Sequence, residues 1–150
     1  MPNLALMLLA RFQRSTAPRD LDKAIHCCRE SADLTPPDDA RRATALNNLC
    51  LALSWRFKRS RAESDRDEIV AVGARLAETT SAPSWIRVRS AWESAKTVAP
   101  IDRDRAADLF EAAVRLLPEA VSRRLDRSDQ QHELGSYSTP VWPVRRPRWG

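Results

Sequence analysis

Apolar residues return along this chain at intervals of three and four, not two. In the segment ALNNLCLALSWRFKRS, Leu46, Leu49, Cys50, Leu53 and Phe57 form one stripe at helical spacing, and Leu51, Ala52 and Trp55 form a second. A helix that is apolar on two sides needs cover on two sides, which suits an internal element of a stack. Pro36 and Pro37 stop the helix before it, Asp38 or Asp39 offers an N-cap, and the spacing predicts a helix over about 40–59. Upstream, Leu21, Ala24, Ile25, Cys28 and Ala32 share one face of a second helix, with Asp20 as its expected N-cap. Downstream, DRDEIVAVGARLAET repeats that logic, and SAPS breaks the chain before a helix near 85–97. A further helix begins after Asp102, in RDRAADLFEAAVRLL, and is expected to end at Pro118, with a seventh starting at Ser128. The stretch 135–150, GSYSTPVWPVRRPRWG, has no periodicity and is expected to be an irregular basic tail.

The first helix and the central one are nearly the same line written twice. NLALMLLARFQRS and NLCLALSWRFKRS agree at Asn3/Asn48, Leu4/Leu49, Leu6/Leu51, Leu8/Leu53, Arg11/Arg56, Phe12/Phe57, Arg14/Arg59 and Ser15/Ser60, every pair 45 residues apart. Asp65 and Asp67 stand at the same offset from Asp20 and Asp22. A fixed period in the range of roughly 20–50 residues marks a stacked repeat architecture. Helix pairs, about three of them, are the expected plan.

Composition supports helices: Ala, Leu, Arg and Glu are abundant, and there are only three glycines among 150 residues. The all-α expectation extends over residues 1–134. A formal charge of +5 raises the question of nucleic acid, but Arg145, Arg146 and Arg148 lie in an acid-free end; without them 22 basic groups face 20 acidic ones. The excess is a tail property, which disfavours nucleic acid; polyanion binding by tail and Arg-rich surface is kept as the alternative reading. Cys27, Cys28 and Cys50 are odd in number and lack framework spacing, which points to a reducing compartment. The run LALMLLA is too short to span a bilayer, and no membrane partner is expected.

The small and large residues of the second helix in each pair carry a resemblance. Ala106, Phe110, Ala113 and Pro118 fall on the small–large–small–Pro spacing of tetratricopeptide (TPR) repeats, and Ala24, Cys28, Ser31 and Pro36 fall on it too. Ile69, Gly73, Leu76 and Ser81 depart from it, which predicts looser packing there. First helices keep a small residue after Leu4 and Leu49, as Ala5 and Cys50, where the family has Gly. The chain thus resembles a TPR-like α-solenoid of about three antiparallel helix pairs, of the long-period type that precedes caspase-like peptidase domains of the CHAT family. The resemblance implies a protein-interaction scaffold, apparently a fragment without the peptidase. It also implies an apolar face on the first helix that a preceding repeat would cover, leaving self-association through that face open. A truncated remnant without activity of its own is the remaining reading.

Chemistry-bearing residues are few. None of Cys27, Cys28 and Cys50 with His26 and His132 lies in a caspase-like context, and neighbouring helical positions such as His26, Cys27 and Cys28 point about 100° apart and cannot converge on one ion. No catalytic, metal or cofactor site is expected. The repeat does place Asn3 in register with Asn48 and Arg11 with Arg56, which suggests a polar, basic groove for an acidic protein or peptide segment. The competing reading pairs these arginines with Asp residues of neighbouring helices. Trp55, Trp85 and Trp92 are expected in the core.

Overall fold

The computed structural model describes the backbone of residues 2–136 and the side chains of residues 4–123. The expected tail, residues 137–150, lies outside the described residues. Six helices follow one another: α1 (Pro2–Ser15), α2 (Pro18–Leu34), α3 (Ala40–Ser60), α4 (Glu63–Glu78), α5 (Ser84–Val98) and α6 (Arg103–Ser136). There is no strand among the described residues. The chain divides into units 1–120 and 121–150, and the core belongs to the first; the second contains the last part of α6.

Local chemistry sets the boundaries. The side chain of Asp39 accepts the Arg41 amide at 2.8 Å and caps α3. The two short connections, after α1 and after α3, are copies of one turn. Thr16 and Arg61 both sit in the left-handed region, at φ 53° and 55°, with amides donating to the Phe12 and Phe57 carbonyls at 2.7 and 2.8 Å. The hydroxyls of Ser15 and Ser60 then accept the amides of Ala17 and Ala62. The 45-residue repeat is therefore a repeat of backbone conformation as well as of letters.

Sequence-adjacent helices from α1 to α5 pack on one another, and α3 also meets α1 and α5. The faces are those the spacing marks: Leu21, Ala24, Ile25, Cys28 and Ala32 of α2, and Leu46, Leu49, Cys50, Leu53 and Phe57 of α3, are all buried in one core. Burying a side chain of the size of Leu or Phe contributes about 1.5–3 kcal/mol. In α3 the second stripe is partly covered: Ala52 is buried, Trp55 stacks on Phe12 at 5.7 Å, and Leu51 is exposed.

Four expectations need correction. Asp20 does not cap α2, which begins at Pro18; it lies buried in the first turn. Pro118 does not end α6. Proline removes one hydrogen bond and crowds the carbonyl four residues back, a cost of about 3 kcal/mol or more that the rest of this long helix tolerates. The helix expected to start at Ser128 is accordingly part of α6. Trp85 and Trp92 are exposed, turned away from the buried face of α5, which consists of Ser84, Arg87, Ser90, Ala91, Ser94, Ala95 and Val98.

That face also overturns the loose packing expected of α4. A Cβ placed on Gly73 would lie 3.0 Å from Ser94 Oγ, tighter than side-chain contacts usually are, so α4 approaches α5 closely at the glycine, and it would lie in ordinary contact with Leu109 of α6 at 3.4 Å. Gly73→Leu is expected to lower stability by about 1–3 kcal/mol in urea denaturation through overpacking, and an unchanged midpoint would contradict this close approach.

Candidate helix-docking cleft

The four residues singled out for a groove have distinct positions. The side chain of Asn3 lies outside the described residues. Asn48 is buried, 7% exposed, within α3. Arg11 is held by Asp20, with Nε donating to Oδ2 at 2.7 Å, and Arg56 is held by Asp65, with Nε at 3.0 Å and Nη2 at 2.6 Å. The two ion pairs are equivalent under the 45-residue offset, and each bridges the copied turn described above. The pairing of these arginines with carboxylates of the neighbouring helix is thus the observed arrangement.

Burial of the carboxylates gives the pairs weight. The side chains of Asp20 and Asp65 are nearly enclosed, and a buried carboxylate deprived of its cation is costly. Arg11, through its hydrogen bonds, holds the Asp20 carboxyl below the usual range, against the opposing effect of burial. The guanidinium of Arg56 is held more firmly in its charged form, first by its hydrogen bonds to Asp65.

Arg56 also reaches across to Asp22 of α2 at 3.0 Å, and Arg29 of α2 donates to Glu68 of α4 with Nε at 2.6 Å. Arg59 adds a bond to the Thr16 carbonyl at 3.0 Å and lies over the Phe12 ring. These contacts fasten the α1–α2 pair to the α3–α4 pair. The α3 face that bears Leu49 and Leu53 is covered: α2 packs on α3 and reaches α4 through Arg29, and Leu49 and Leu53, 3% and 0% exposed, lie in one core with Ile25 and Cys28.

The cleft between α1 and α2 is open. It has a volume of about 580 Å³ and is lined by Leu4, Leu8 and Arg11 from α1 and by Asp22, Lys23, His26 and Cys27 from α2. Leu4, the counterpart of Leu49, is 47% exposed. Lys23 stands at the position of Glu68, so the open cleft carries a cation where the α3–α4 pair carries an anion. Lys23, His26 and Cys27 were not singled out as groove lining from the sequence. The signal was present in the same alignment that pairs Asp22 with Asp67, one residue further on.

Cys28 and Cys50 are enclosed thiols. Burial pushes Cys28 and Cys50 up to about 11, so both are protonated near neutral pH. Among the described residues no group of three or more His, Cys, Asp and Glu is arranged to hold a metal ion, and no helix is long and apolar enough to cross a membrane.

Two outcomes follow from the ion pairs. Arg56→Ala leaves Asp65 enclosed without its main cation and is expected to cost about 2 kcal/mol, below the 3–5 kcal/mol of a wholly buried pair because Arg56 is partly solvated. Arg41→Ala, which removes an exposed pair with Asp39, should change the urea midpoint little, and equal losses would contradict the assignment. Because the Asp20 pKa is lowered by folding, its contribution is present above the unfolded carboxylate value of about 3.9 and is lost as pH falls through the lower folded value. Denaturation between pH 5 and about pH 2 should therefore show a decline that is shallower in Asp20→Asn; identical slopes would contradict the linkage.

Comparison with protein-family models, curated proteins and solved structures finds no match to this chain.

Proposed function

We propose that this chain is a protein-interaction module, a TPR-like α-solenoid of antiparallel helix pairs whose docking surface is the cleft between α1 and α2. The observation that carries the reading is the open cleft itself, where Leu4 is exposed although its counterpart 45 residues on, Leu49 of α3, is covered by packing against α2. What covers Leu49 describes what fits the open cleft. The occupant is an amphipathic helix with an apolar stripe over the exposed Leu4 and acidic residues facing Arg11 and Lys23. Helix α2 places Asp22 and Arg29, two turns apart, on Arg56 and Glu68; the exchange of Glu68 for Lys23 calls for an acid at both places in the occupant.

A protein ligand is favoured over a polyanion because many arginines outside the cleft already hold carboxylates of this chain: Arg29, Arg41, Arg56, Arg66 and Arg105 each do so. Within this reading the resemblance to repeat arrays that accompany CHAT-type peptidases suggests a scaffold without catalysis of its own, working in the cytoplasm.

Fluorescence anisotropy with a labelled designed helix tests the reading: leucines on one face and two glutamates seven residues apart. The chain should bind it, Lys23→Glu should weaken binding about fivefold, and a peptide with lysine in place of the second glutamate should prefer the Lys23→Glu variant. Equal binding of all peptides by both proteins, or none by either, would overturn it.

A further inference from the structure

We propose that the occupant of the α1–α2 cleft is a second copy of this chain, which inserts the exposed face of its α6 and so associates head to tail; this rests on the docking role given to the cleft above. Two of the uncovered surfaces among the described residues of the first unit match one another. One is the cleft. The other lies on α6, where Val114 and Leu117 are 55% and 45% exposed beside the half-buried Phe110. Trp92 of α5 meets Phe110 edge-on at 4.9 Å and widens this apolar surface.

The match between the two faces comes from the register of α6 with α2. Ala24, Cys28, Ser31 and Pro36 of α2 correspond to Ala106, Phe110, Ala113 and Pro118 of α6, every pair 82 residues apart. On that register Ile25, Cys28 and Ala32, apolar residues of the buried face of α2, become Ala107, Phe110 and Val114. Asp22 and Arg29, the two groups that α2 offers to the α3–α4 pair, become Asp104 and Glu111. Both are exposed and lie two turns apart on one edge of the apolar stripe.

Those are the charges the open cleft requires. The existing seam joins Asp22 to Arg56 and Arg29 to Glu68; the seam between copies joins Asp104 to Arg11 and Glu111 to Lys23. At the first place the sign is kept, and at the second both partners are inverted together. Asp22, which also lines the cleft, does not oppose the incoming acids strongly because Arg56 holds it. Helix α2 itself is a poorer occupant for a second copy, since its Arg29 would meet Lys23. Because the two faces are different surfaces of one chain, the contact is heterologous and does not stop at a symmetric pair.

Sedimentation equilibrium of the full chain over a concentration series tests the proposal. The mean mass should rise above 17.0 kDa and pass beyond two chains. Lys23→Glu and Glu111→Lys should each weaken association about fivefold, and the double variant carrying both should recover it. A mass that stays at one chain up to millimolar concentration overturns the proposal, as does a double variant no stronger than the singles. A pair that stops at two chains and ignores both substitutions is α1-to-α1 self-association and overturns it equally. Binding of the designed acidic helix by a chain that remains single would sink the second copy while leaving the docking cleft in place.

Discussion

Everything in this fold depends on the need of an amphipathic helix pair for a neighbour. A pair of helices hides the faces it turns inward but leaves each helix with a second apolar edge, and only the next pair removes that edge from water. The α3 sequence shows the constraint directly, with apolar residues on more than one side: Leu49 is closed off in a core shared with α2 while its equivalent Leu4 of α1 stays exposed, although Leu53 and its equivalent Leu8 are both buried. The same residue type at the same place in the repeat thus has two environments. What differs is whether a helix lies against it.

Polar groups then set the register that apolar contact leaves loose. Hydrophobic burial is non-directional, so two helices with leucine stripes can slide past one another at small cost. The Arg11–Asp20 and Arg56–Asp65 pairs fix the two helices of a pair across a two-residue turn, and Arg56–Asp22 with Arg29–Glu68 fix one pair on the next. Enclosure of Asp20 and Asp65 makes the first two contacts costly to break one-sidedly. Small residues do the corresponding work at the other end, where Gly73 and Ser94 allow α4 and α5 to close to near contact.

Much of this was legible in the letters. The five apolar residues assigned to one face of α2 and the five assigned to the main stripe of α3 are all buried, and the Asp39 cap falls where Pro36 and Pro37 place it. The misreadings share a physical cause. Trp85 and Trp92 do not enter the core, because the face that α5 buries carries Ser90, Ala91, Ser94 and Ala95 beside Arg87 and Val98, and the tryptophans lie off it. Proline was taken as a stop, although one lost hydrogen bond does not end a 34-residue helix. Asp20 was read as a local cap because a cap is a local signal; its partner Arg11 is on another helix. The open cleft was hidden for a different reason, since a repeat alignment emphasises identities and the informative position, Lys23 against Glu68, is a reversal of charge.

Amide hydrogen exchange, followed helix by helix in dilute solution and again with the cleft occupied, tests most directly whether α1 is a rung awaiting its neighbour. The account predicts the strongest protection in the middle of α3, weak protection in α1, and a gain in α1 and the facing edge of α2 on occupation. Protection of α1 equal to that of α3 in the dilute chain, with no further gain, would contradict it.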